Sequence, residues 1–175
     1  MRRILMALVL CAWPALPAAQ DADLEYRVKA AYLFNFTRFV EWPAGAFADM
    51  KAFSICVAGK NPFGTALSST FAGERAAGLP LAARVVNPGG ASSCHVLFVP
   101  RGIAATPYLR GIGASPVLTV GESPGFLAQG GAINFVLASG RVRFEIDQTA
   151  AERARLRVSS RLLRLGLGRD AQGDD

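Results

Sequence analysis

Histidine is almost absent from this chain: there is one, His95, against 19 lysines and arginines and 13 aspartates and glutamates. That scarcity removes most routes to nucleophilic or metal-assisted catalysis, which lean on imidazole as base or ligand. A Ser-His-Asp arrangement would depend on His95 alone, and His95 lies in Cys94 to Val99, an apolar run that reads as a buried strand. As neighbours in a strand, Cys94 and His95 point to opposite faces and cannot easily share a metal. The nucleophile elbow is missing as well, since Gly121-Glu-Ser-Pro-Gly125 has the wrong residues and a proline after its serine. Gly59-Lys60-Asn61-Pro62-Phe63-Gly64-Thr65 does not place lysine and a hydroxyl directly after its last glycine, as a phosphate cradle would. No dinucleotide fingerprint follows a strand. Carboxylate pairs are sparse: Asp147 reads as a helix cap and Glu145 as a partner for Arg141 or Arg143. No catalytic residue, metal or cofactor is expected, and the chain reads as a binding or regulatory module rather than an enzyme.

Long hydrophobic runs are also lacking. The apolar stretch Ile4 to Trp13 falls short of the roughly 20 residues that a membrane-spanning helix needs. Arg2 and Arg3 precede it and Pro17-Ala18-Ala19 follows, the order of a secretory signal peptide. Residues 1–19 are therefore expected to be removed, leaving an exported chain that starts near Gln20 or Asp21. Cysteine is scarce in that product, where only Cys56 and Cys94 remain, an even number for an oxidising compartment. They either bridge, closing a loop of roughly 39 residues, or stay apart as two small buried hydrophobes. Acidic residues are in the minority, and eight basic ones cluster between Arg141 and Arg169. Such a patch suits phosphates, anionic head groups or an acidic protein face, or simply solvates a helix. Export sets nucleic acid aside as a partner.

What is present is an alternation of helical and strand patterns. Leu24, Val28, Ala31, Tyr32, Asn35, Phe36 and Phe39 recur at three- and four-residue spacing, which predicts an amphipathic helix over 22–40 with Glu25, Lys29 and Arg38 off its apolar stripe. Asp21 or Asp23 can cap its start, and Pro43 stops it. Strands are predicted at Phe53–Ala58, Leu81–Val86, Cys94–Val99 and Val117–Val120, with helices from Pro62 to about Phe71 and from Ala104 to Arg110. Gly121 to Gly131 is a loop. Ile133–Leu137 and Val142–Ile146 face each other across Ala138-Ser-Gly-Arg as a hairpin. Asp147 caps a helix to about Leu156, and Ser159 or Ser160 begins a short turn through Leu165. The fold class is thus α/β: a mainly parallel sheet with helices on both faces and a C-terminal antiparallel hairpin at one edge. A single domain over 20–168 and a frayed tail over 169–175 complete the organisation.

Open α/β sheets take ligands beyond the ends of their strands. Lys60, Asn61, Gly64 and Thr65, after the first strand, are the candidates for a small ligand, with a plain turn as the alternative. Aromatic residues off the helical stripe and arginines on the hairpin suit a protein interface instead. The candidates are Phe34, Trp42, Arg141, Arg143 and Phe144, each of which core packing or a surface salt bridge would also explain.

Several segments together resemble one family. Val28-Lys-Ala-Ala-Tyr-Leu-Phe-Asn-Phe-Thr-Arg-Phe-Val-Glu-Trp-Pro43 looks like the opening helix of the YfiR-type family. The likeness runs on in order through Ile55-Cys-Val, Asn61-Pro-Phe-Gly64, Cys94-His-Val-Leu-Phe-Val99 and Leu118-Thr-Val-Gly-Glu-Ser-Pro-Gly-Phe126. It ends with Gly130-Gly-Ala-Ile-Asn-Phe135, Arg141-Val-Arg-Phe-Glu-Ile146 and Ser159-Ser-Arg-Leu-Leu-Arg-Leu165. The resemblance implies a periplasmic α/β protein, often a homodimer. It would repress an inner-membrane diguanylate cyclase by binding that enzyme's periplasmic sensor domain, with an outer-membrane-associated lipoprotein relieving the repression. It also places Cys56 and Cys94 where the family tends to carry a bridged pair. The second pair that some relatives hold is missing, since Leu127 and Phe135 occupy that region.

Overall fold

The computed structural model describes residues 18–167. The expected signal peptide, save its last two residues, and the expected C-terminal tail lie outside the described residues. Nine strands and five helices follow one another: α1 (Ala18–Phe39), β1 (Val40–Glu41), β2 (Phe53–Ala58), α2 (Ala66–Phe71), β3 (Arg75–Ala76) and β4 (Leu79–Val86), then, after a 3-10 turn at Pro88–Ser93, β5 (Val96–Val99), α3 (Ala105–Ile112) and β6 (Leu118–Gly121), with β7 (Ile133–Ala138), β8 (Arg141–Ile146), α4 (Gln148–Arg153), β9 (Arg157–Val158) and α5 (Ser160–Leu165) completing the described chain. Seven strands form one sheet in the order β3-β4-β2-β5-β6-β7-β8, parallel from β4 to β7 and antiparallel at both edges. A separate antiparallel ribbon joins β1 to β9.

Strand alternation divides the interior between the two faces of the sheet. Phe53, Ile55 and Val57 of β2, Val96 and Phe98 of β5 and Phe135 of β7 look towards α1 and α2. Cys56 and Ala58, with Leu97 and Val99, look the other way, towards the 3-10 turn, α3 and Phe126. The turn between β7 and β8 has positive φ at both Ser139 and Gly140, the geometry that matches the twist of a two-residue hairpin. Asp147 caps α4 by accepting from the Ala150 amide, and Ser159 caps α5 by accepting from Leu162.

Several expectations need correction. α1 starts at Ala18, so neither Asp21 nor Asp23 caps it. The chain after Pro62 is a turn, because the Asn61 side-chain oxygen accepts from the Phe63 amide, and α2 begins only at Ala66. The largest departure concerns the apolar stripe of α1. The buried positions are Lys29, Ala30, Leu33, Phe36 and Thr37, whereas Leu24 is 61% and Val28 36% exposed. The helix is turned by about one residue from the stripe that the hydrophobic spacing suggests, because Lys29 has a charged partner inside.

Candidate functional site

Glu122 follows β6 directly and lies 3% exposed beneath α1. Its carboxylate is held from three sides. The Tyr26 hydroxyl donates to Oε1 at 2.9 Å, the Arg101 amide donates to the same oxygen at 2.8 Å, and Lys29 Nζ donates to Oε2. Lys29 also bonds Glu25 one helical turn back, and its ammonium stands 4.8 Å from the centre of the Tyr26 ring. Burial, and then the Glu122 carboxylate, push the Tyr26 phenol well above its ordinary range. Arg101 and Glu122 follow the C-terminal ends of β5 and β6, the end at which an open α/β sheet takes ligands. Here part of that end is filled by side chains of the chain's own first helix. Neither Lys29 nor Glu122 was singled out from the sequence, where Lys29 falls among the charges off the stripe and Glu122 in a glycine-rich loop.

Where the strand order reverses between β2 and β5, side chains fill the crevice as well. Ile103 lies against Gly59, so that a Cβ there would come within 3.0 Å of it, and the Tyr108 hydroxyl donates to the Val86 carbonyl. The four ligand candidates beside it, Lys60, Asn61, Gly64 and Thr65, are exposed. Asn61 spends its amide on the turn, accepting from Phe63 and donating to the Gly64 carbonyl.

The five interface candidates are scattered. Arg141 and Arg143 stand exposed on one face of β8. Phe144 points the other way, 3% exposed, with its ring 5.4 Å from Tyr32 and 5.2 Å from Phe36; it belongs to the core and is no surface anchor. Phe34 is half-buried with the Arg38 guanidinium 5.9 Å above its ring. Trp42 packs edge-on against Phe53 and beside Phe47. Phe34 lies ten residues along α1 from Leu24, about 15 Å away. What the structure does bring to Arg141 is an apolar groove of about 620 Å³ between α1 and the hairpin tip, lined by Leu24, Val28, Leu137 and Val142, with Asp21 and Glu25 on its rim. Leu137 is 53% exposed there. Glu145 makes no ion pair with Arg141 or Arg143 among the described residues; across the hairpin it faces Asn134.

Cys56 and Cys94 form a disulfide with their Cα atoms 5.9 Å apart, tying β2 to the segment that enters β5. His95 beside it is packed between Phe53 and Phe47, at ring-centre distances of 4.6 and 5.1 Å. Its Nδ1 accepts from the Ser54 amide at 2.9 Å. Burial holds its pKa below the ordinary value, against a hydrogen bond to the Ala46 backbone that works the other way, and the nearby Arg84 charge lowers it further. No group of three or more His, Cys, Asp or Glu that could hold a metal occurs among the described residues, and no helix among them is long and apolar enough to cross a membrane.

The architecture is thus a mainly parallel α/β sheet with antiparallel edges, part of its strand ends covered by the chain's own first helix. The solved structure of a conserved domain protein from Vibrio cholerae O1 biovar El Tor str. N16961 shares this fold, with a TM-score of 0.55 at 10% sequence identity. The match spans 81% of this chain but 58% of that one, so the Vibrio chain is considerably longer than the part shared. No curated protein matches the sequence. The model of the YfiR/HmsC-like family matches residues 26–167, and the chain belongs to that family.

Proposed function

We propose that this chain is a periplasmic repressor that binds the periplasmic sensor domain of an inner-membrane diguanylate cyclase and so lowers cyclic di-GMP output. Family membership supports the regulatory role, and one observation carries the binding role. Leu24, Val28 and Leu137 are exposed together around one groove, with Arg141 and two carboxylates at its rim. Clustered exposed apolar side chains with a charged rim are the usual composition of a protein-docking face. A repressor of this kind must favour one state of its target, and each tenfold preference takes about 1.4 kcal/mol. An outer-membrane-associated lipoprotein that relieves repression would compete for the same face. Cell fractionation tests the periplasmic location, and sedimentation of the purified chain tests the homodimer.

The test of binding uses the purified sensor domain of the cyclase immobilised on a biosensor. Leu24→Ser with Leu137→Ser should weaken binding about tenfold or more, with little change in Tm because both side chains are already solvated. Arg141→Glu with Arg143→Glu should weaken it through charge and leave Tm nearly unaltered. Wild-type affinity in both double variants would remove this face, and with it the proposed mode of repression.

A further inference from the structure

β8 ends the order of the large sheet, so its outer edge has no full strand beside it. Among the described residues, only Leu167 bridges to that edge, its amide donating to the Phe144 carbonyl at 2.8 Å opposite Glu145. That bond fixes the phase of β8, because the backbone groups of successive residues alternate between the two sides of a strand. Val142 and Phe144 turn theirs outward, while Arg141, Arg143 and Glu145 turn theirs towards β7. The hairpin agrees, since its turn bond runs from the Arg141 amide to Ala138, the pair that closes it. The Val142 amide and carbonyl and the Phe144 amide make no outward hydrogen bond among the described residues. Side chains divide in the same rhythm. Val142 lines the apolar groove beside α1. Arg141 and Arg143 stand exposed on the other face, in no ion pair among the described residues.

An open edge is a template for another strand, and the side chains along it select which strand. A second copy pairing through β8 would set arginines beside arginines, and like charges across a strand pair are unfavourable. We infer that this edge takes one short extended segment of the partner as an added strand, with acidic and apolar residues alternating along it. The inference rests on the docking reading above for the identity of the partner and adds the form in which that partner binds. Main-chain hydrogen bonds to Val142 and the Phe144 amide hold the segment, and its alternate side chains give the specificity. An apolar residue beside Val142 reaches the groove between Leu24, Val28 and Leu137. The acidic residues on either side of it lie next to Arg141 and Arg143. The opposite register is refused, because carboxylates beside Val142 would face Asp21 and Glu25 on the groove rim. Leu167 closes the edge beyond Phe144, which keeps the recognised stretch short.

The probe is the capped peptide Thr-Glu-Val-Glu-Val-Glu-Thr, titrated into the 15N-labelled protein and followed by NMR. It should shift the backbone amides of Val142 and Phe144, slow their exchange with deuterium, and displace the purified cyclase sensor domain on the biosensor. The same peptide with lysine for glutamate should do none of these, nor should one with its glutamates and valines in separate blocks. Arg143→Glu should weaken the peptide about tenfold or more, the loss expected for one charge-assisted hydrogen bond. Val142→Pro, which removes an outward amide that an edge strand can spare, should abolish binding. If that variant does not fold, Arg143→Glu and the wild-type amide signals decide the matter. Unmoved Val142 and Phe144 amides at the highest soluble peptide concentration would overturn the inference, as would equal shifts with the lysine peptide. A sensor domain that binds but is not displaced by bound peptide would overturn it too, and leave the docking reading intact. A peptide that binds as described while the sensor domain does not would remove the cyclase as partner and keep the edge.

Discussion

Lys29 and Glu122, 93 residues apart in the chain, form an ion pair with both side chains almost wholly withdrawn from solvent. The pair pins the first helix to the strand ends, and removing half of it should be far worse than removing both charges. Lys29→Met alone strands a buried carboxylate and should cost about 3–5 kcal/mol. Adding Glu122→Gln removes the stranded charge but keeps an acceptor for Tyr26 and the Arg101 amide. Urea unfolding of both proteins should therefore find the double variant more stable than the single one. A double variant less stable than Lys29→Met would show that the charge on Glu122 is not what the lysine neutralises.

Phe126 lies between two glycines. A Cβ on Gly131 would stand 2.1 Å from its ring, and one on Gly121 would stand 2.3 Å from it. Gly131→Ala should cost about 1–3 kcal/mol by overpacking, and Phe126→Leu in the same chain should return part of that loss. Additive losses in a double-mutant cycle would mean that ring and glycine do not meet.

The disulfide spans 38 residues of sequence. Replacing both cysteines with alanine should lower the unfolding free energy by about 4 kcal/mol on the chain-entropy account, through the unfolded state more than through lost packing. Denaturant unfolding of oxidised wild type against the double variant measures it. A difference under about 1 kcal/mol would leave the bridge with no such role.

His95 should make stability sensitive to acid. Above its ordinary value of about 6.5 neither the folded nor the unfolded state holds its proton. Between that value and the lowered value of the folded state, the unfolded chain takes up a proton that the buried ring refuses, so stability falls as pH falls. Below the folded value the dependence from this group ends. Urea midpoints measured across this window should slope in wild type, and His95→Gln should flatten them. Equal slopes in the two proteins would assign the acid sensitivity elsewhere.

The alternation of strand and helix patterns made the parallel sheet and its antiparallel hairpin legible, because each strand long enough to show a run or an alternation was visible as one. β1, β3 and β9 are two residues each and carry no period at all, so the ribbon between Val40 and Val158 could be found only in three dimensions. Phe144 was readable as core from the hairpin itself: it alternates with Arg143 and Glu145, and those two stand on the other face. The site was less legible, for a physical reason. Patterning assigns a charge to the outside, and Lys29 is inside because Glu122 meets it from the far end of the sheet. Tyr26, Lys29, Ala30, Leu33 and Phe36 are also spaced three and four apart, so the true stripe was visible to a reader willing to bury a lysine.

The short ribbon that joins Val40 to Val158 has a consequence for biosynthesis. The end of the first helix cannot settle until residues near the other terminus have been made, so a chain emerging from its amino end must keep an aromatic-rich helix waiting in the open. Nonlocal closure of this kind slows folding and lengthens exposure to aggregation. A nonsense mutation upstream of Arg157 should accordingly yield insoluble fragments rather than a shortened working protein.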